Sequence, residues 1–234
     1  MKKGFCLEAL IVAIGLALMG YFVQHGLEYF TQGQRVVSVK GLAEMEVQAD
    51  KVIWPLRYVD VGNDLDELYK RIQQKNKILV DFLHSKGITD AEITHAAPVI
   101  VDLHADRYMQ EKAAYRYNIT SVVTVTSSQV DLVRSLMSEQ VELLKQGLAL
   151  AGEDYRYQVD YVYTKLNEIK PQMIEEATKN ARRSAEKFAE DSDSNLGKIK
   201  HAYQGQFSIT DRDPNTRYIK TVRVVNTVDY YLKN

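Results

Sequence analysis

The sequence predicts an α+β domain, antiparallel strands backed by amphipathic helices, preceded by one amino-terminal transmembrane helix. Three observations lead there. An apolar run from Leu7 to Val23 (LEALIVAIGLALMGYFV) is broken only by Glu8. Valine-rich stretches with period-two alternation recur beyond it. Between them lie segments whose apolar residues fall on a single helical stripe. Composition agrees: of 234 residues, 45% are hydrophobic and 26% charged, and 12 Gly and 4 Pro are too few for a disordered or collagen-like chain. The net charge of -1 gives no global pull toward nucleic acid. A single cysteine excludes an intrachain disulfide framework and a Cys-cluster metal site.

The opening segment reads as a membrane anchor. Lys2 and Lys3 precede the apolar run and favour an inside amino terminus. The run of about 17 residues covers roughly 26 Å, the short limit for a core of ~30 Å. Glu8 sits where its carboxylate reaches the headgroups, and Tyr21 and Phe22 close the run at the other interface. This would place residues 7–23 in the membrane and the folded part on its far side, in the periplasm or exterior. A cleaved signal peptide has the same order and releases the chain into the periplasm, but Ala17-Leu18-Met19-Gly20 is a poor small-x-small site. A buried helix of a soluble protein is the third reading. Cys6 precedes the run, whereas a lipoprotein cysteine follows it. Residues 1–35 are thus anchor and short stalk, and 36–234 one domain.

The elements follow in order. Val36–Val47 is a strand, with Gly41 marking a bulge or a close backbone approach. Ala49-Asp50-Lys51 turns the chain into a strand over Val52–Val61, where Pro55 implies an edge or an irregularity. Asn63 or Asp64 caps a helix whose stripe is Leu65, Leu68, Ile72, Leu79, Phe82 and Leu83, ending at Lys86-Gly87. Glu92–Leu103 reads as a strand. Ala114–Thr126 is another, with Tyr115, Tyr117, Ile119, Ser121, Val123 and Val125 on one face. Ser127 or Ser128 caps a helix through Val130, Val133, Leu136, Met137, Val141 and Leu144, closed by Gly147.

A strand over Tyr155–Thr164 would put Tyr155, Tyr157, Val159, Tyr161 and Tyr163 on one face. The helix Asn167–Glu190 carries a stripe of mostly small residues, Ile174, Ala177, Ala181, Ala185 and Phe188. Its basic residues alternate with glutamates, which reads as a solvated face with i,i+4 ion pairs. Ile199–Ile209 and Tyr218–Leu232 close the chain as strands around the polar turn Asp211–Thr216. On the last strand Asn226 interrupts a face of Val222, Val224, Val228, Tyr230 and Leu232.

The search for chemistry is mostly negative. There is no phosphate-cradling or dinucleotide glycine loop and no nucleophile elbow. His25, His84, His95, His104 and His201 lack zinc-ligand spacing. No cofactor and no catalytic residue is expected. The metal candidate is Asp102, His104 and Asp106, which share one face if the stretch stays extended and would then make the chain a metal-dependent enzyme; a solvated strand end has the same residues. Among 15 tyrosines, the ladder Tyr155, Tyr157, Tyr161 and Tyr163 offers a ligand-binding surface, with cross-strand packing as the alternative. It has little basic accompaniment, so single-stranded nucleic acid is not its partner.

Several stretches together resemble the SIMPL-domain family, which includes bacterial periplasmic immunogenic proteins and oxidative-stress defence proteins. They are Val36-Val37-Ser38-Val39-Lys40-Gly41-Leu42-Ala43-Glu44, the turn at Ala49-Asp50, Ala177–Ala189 (ATKNARRSAEKFA), Leu196-Gly197-Lys198-Ile199, Gln204-Gly205, and Val222–Val225 with Val228–Leu232. Ala49 departs from the proline expected there. The resemblance implies an exported α+β domain, anchored or secreted, that self-associates into rings or channel-like assemblies. It carries over no catalytic residue, and its envelope and oxidative-stress associations supply no mechanism.

Overall fold

The computed structural model describes residues 2–32, 35–105, 114–152 and 154–233. Its helices are α1 Lys2–Gln32, α2 Leu65–Ser85, α3 Val130–Glu139, α4 Val141–Lys145 and α5 Leu166–Asp191. The strands are β1 Val36–Gln48, β2 Lys51–Gly62, β3 Ile93–His95, β4 Val99–Asp102, β5 Tyr117–Ser127, β6 Asp160–Val162, β7 Asn195–Gln204, β8 Ser208–Asp211 and β9 Ile219–Lys233. The architecture is α+β with antiparallel pairing.

α1 holds an 18-residue window, Leu10–Leu27, of mean hydropathy 1.8, long and apolar enough to cross a membrane. None of the window is covered by the other described residues, which speaks against a helix buried in a soluble core. The stalk expected after Val23 is instead helical to Gln32. No proline interrupts that stretch, and its one glycine, Gly26, is tolerated within a helix.

A single domain over 36–234 is the sequence reading; the folded chain divides into two compact units, each assembled from discontinuous segments. No linker marks the division, because the chain changes unit within continuous strands and at a helix end. The first unit comprises Met1–Met45, Asn167–Ile209 and Val222–Asn234. Its core joins Val39, Val228 and Tyr230 of the sheet to Ala181 and Ala185 of α5. The helix buries Met173, Ala177, Ala181, Ala185 and Ala189, one residue in every four. The expected stripe is right at its centre and displaced at its ends: Phe188 is 61% exposed. Asn226, the interruption on β9, is buried and donates from Nδ2 to Ile174 O at 3.3 Å and Thr178 Oγ1 at 3.1 Å, tying strand to helix. Ile199–Ile209 breaks into β7 and β8 at Gly205, whose N–H donates to Val225 O. A Cβ there would lie 2.2 Å from that oxygen, so only glycine lets the chain leave the ladder this closely.

The second unit comprises Glu46–Leu166 and Thr210–Thr221. Its sheet has the order β3-β5-β2-β6, and β4 also pairs with β5. β2 buries Val52, Trp54, Leu56 and Tyr58 in alternation against Leu68, Ile72, Leu79, Phe82 and Leu83 of α2. Asp64 caps α2, accepting from the Glu67 amide at 3.0 Å, and Gly87 takes φ 91° beyond its end. Pro55 is explained by its neighbour: Arg57 C=O, on the same edge of β2, faces away from β5 and accepts from Ala151 N–H. β6 pairs only with residues 51–53, so Pro55 costs the ladder no donor.

Three other expectations change. Glu92–Leu103 is not one strand; a 3-10 turn at Asp90–Glu92 leads into β3, and β4 resumes after Pro98. The helix expected over Val130–Leu144 breaks at Gln140 into α3 and α4. The break shifts the phase, so Leu143 is buried while Val141 and Leu144 face solvent. The strand over Tyr155–Thr164 shrinks to β6, because Asp154 accepts from the Arg156 amide and winds Tyr155–Tyr157 into a 3-10 turn.

Candidate functional site

Of the metal candidate, Asp102 and His104 lie within the described residues, and the structure does not set them on a shared strand face. The chain turns after Asp102, where Ala105 N–H donates to Asp102 O, so the shared face of an extended strand is lost. The Asp102 carboxylate accepts from Arg116 Nη2 at 2.9 Å and Nε at 3.1 Å, and from the His104 amide at 3.0 Å. Arg116 holds its carboxyl below the usual range, the role a cation would have taken. His104 lies exposed in the turn, and Asp106 lies outside the described residues. Among the described residues no three His, Cys, Asp or Glu side chains converge on a metal position.

The tyrosine ladder is also dismantled. Tyr155 is 82% exposed on the 3-10 turn. Tyr161 packs against the core beside Met137, and its ring meets Tyr218 edge-on at 6.2 Å. Tyr163 donates to Lys165 O at 3.3 Å. Burial raises the Tyr161 hydroxyl above its ordinary value. Tyr157 and Tyr161 do line neighbouring concavities, but from the 3-10 turn and from β6 respectively rather than as rungs of one strand.

The larger of these is a cleft of about 960 Å³ lying wholly within the second unit. One side is β2 with Trp54–Arg57; another is the segment Gln158–Val159 after the 3-10 turn; the third is the turn after β8, with Asp211, Arg212, Asp213 and Arg217. Met137 and Leu150 supply apolar wall. A smaller adjoining cleft shares Met137, Val159, Pro214 and Arg217.

Most of the cleft's charge is internally paired. Arg217 Nε donates to Asp211 at 3.1 Å, and the nearly buried Lys220 pairs with the same carboxylate. Burial pushes the Asp211 carboxyl up, but Lys220 and Arg217 outweigh it and leave it below the usual range. Arg212 donates to Asp213 at 3.2 Å and reaches Glu46 at 3.4 Å. Arg57 differs. Among the described residues its buried Nε has no hydrogen-bond partner, and its ion-pair carboxylate, Asp154, stands 3.9 Å from Nη1. Asp154 spends its hydrogen bonds on Arg156. The Arg57 guanidinium lies over the Tyr157 ring at 5.4 Å. Sequence reasoning missed this residue: the only signal was one arginine on the less buried face of a strand, opposite Trp54 and Leu56.

The fold defines an α+β protein whose folded part follows an apolar helix able to span a membrane, with a charged cleft in one unit. The model of the SIMPL family, described as a protein of unknown function (DUF541), matches residues 37–225. The chain belongs to that family. No curated protein matches it.

Proposed function

We propose that the chain is a non-catalytic protein held in the bacterial inner membrane by α1, with its folded part in the periplasm, where it self-associates through β4. Cleavage after the apolar segment would release the same folded part into the periplasm. The edge strand carries the reading. β4 pairs with β5, and among the described residues no strand pairs with its other side. Val99, Ile100 and Val101 are 56%, 55% and 48% exposed, so apolar side chains meet solvent on both faces of this strand. An open apolar edge normally carries charge or cover. A second copy supplies both, adding backbone partners and burying the valines. Anchoring raises the effective concentration of copies that must meet, and rotational closure gives a finite ring rather than a fibre.

The test is native mass of the full chain extracted in dodecyl maltoside. Wild type is expected as a defined oligomer, and Val99→Lys with Val101→Lys as a monomer with unchanged circular dichroism. A strict monomer at tens of micromolar overturns the proposal, as does an oligomer indifferent to the two lysines.

A further inference from the structure

We infer that the cleft of the second unit is a binding site for an organic monoanion, a carboxylate on an apolar body, with Arg57 as the group that recognises the carboxylate. Three observations converge. Arg57 lines the cleft, and among the described residues no atom accepts from its buried Nε. A buried N–H without a partner costs free energy that an arriving acceptor recovers. The planar guanidinium matches a carboxylate geometrically, donating two parallel hydrogen bonds to its two oxygens. Tyr157 beneath it fixes the plane of the fork.

Charge sets the ligand's valence. The described lining residues carry three guanidinium groups and two carboxylates, one positive charge in excess. Arg212 and Arg217 are hydrogen-bonded to Asp213 and Asp211, whereas Arg57 has only a long ion pair, 3.9 Å from Nη1 to Asp154, and so keeps hydrogen-bonding capacity for a ligand. A dianion such as a phosphate monoester would bring uncompensated charge next to those aspartates. The wall formed by Met137, Leu150 and Pro214 suits a hydrocarbon body. Arg71 shows why the cleft matters. Among the described residues its buried Nε is also unpartnered, yet its Nη2 donates to Val61 O at 2.7 Å and it does not line this cleft.

The sole tryptophan, Trp54, lines the same cleft and reports occupancy directly. The full chain in dodecyl maltoside, which is neutral and free of tryptophan, is titrated with 4-phenylbutyrate, its neutral amide 4-phenylbutyramide, and phenyl phosphate, each corrected for partition into empty micelles. The acid is expected to change Trp54 emission saturably, with Kd about ten-fold or more below that of the amide. In Arg57→Gln that preference should vanish, while Arg57→Lys, which keeps charge but loses the fork, should retain only part of it. Equal response to acid and amide overturns the proposal, as does absence of any saturable change or phenyl phosphate binding ten-fold more tightly than the acid. The acid-to-amide comparison uses unaltered protein, so it decides even if Arg57→Gln fails to fold. Self-association through β4 is measured separately and is unaffected by either outcome.

Discussion

Asp213 shows how one residue organises the turn that borders the cleft. Its Oδ1 accepts from the amides of Asn215 at 2.8 Å and Thr216 at 2.9 Å, and its Oδ2 accepts from the Thr216 hydroxyl and from Arg212. The Thr216 hydroxyl is the largest influence, and the carboxyl is held at about 2, below its ordinary 3.8. A depressed carboxyl stabilises the folded state when ionised, so its contribution is complete above the ordinary value and is lost as pH falls through about 2. Carboxyl-carbon titration by NMR should find this group ionised at pH 3, where exposed aspartates are largely protonated. Asp213→Asn should make stability less sensitive to acid between those two values. An Asp213 midpoint near the ordinary value would contradict the hydrogen-bonded turn. The polar turn at Asp211–Thr216 was legible in the sequence, because Asp and Pro have local reasons to turn a chain. Arg57 as a recognition residue was not: a strand pattern says which face an arginine occupies, not whether a carboxylate reaches it.

Among the elements, β1 and α5 make the tightest fit. A Cβ placed on Gly41 would lie 1.9 Å from Ala177 O and 2.4 Å from Ala181 N. Both are backbone atoms of a regular helix, so neither can rotate away. The glycine in the strand and the alanines in the helix are therefore one device: each small residue is needed because the other backbone is so close. The sequence showed both halves, a glycine at Gly41 read as a bulge or a close approach and the alanine stripe, without showing that they meet. Gly41→Ala should destabilise by at least about 2 kcal/mol, the scale of forced overpacking in a filled site, read as a fall in the unfolding midpoint of the detergent-solubilised chain. A change within about 0.5 kcal/mol would mean that strand and helix are further apart than described. Elements read from periodicity alone fared worse where a local side-chain bond competed, as at Tyr155–Tyr157, where Asp154 wound the expected strand into a turn.

For the whole molecule, the decisive feature is an apolar helix that none of the other described residues covers. Arg at positions 16 and 18 falls at the middle of the Leu10–Leu27 window. Each should cost roughly 2.5–3.5 kcal/mol of insertion. Leu16→Arg with Leu18→Arg is expected to move the protein from the carbonate-resistant membrane pellet to the soluble fraction or to degradation. A doubly substituted chain still resistant to carbonate would sink the anchor. By itself the sequence determined the class of the fold, the apolar helix, the family resemblance and most element positions, because these rest on periodicity, caps and glycines that act over a few residues. Tertiary structure alone decided the division into two units, the dispersal of the tyrosines, the neutralisation of Asp102 by Arg116 and the cleft around Arg57. Each of these depends on residues tens of positions apart being brought together, and no local pattern records which distant side chain will satisfy a charge.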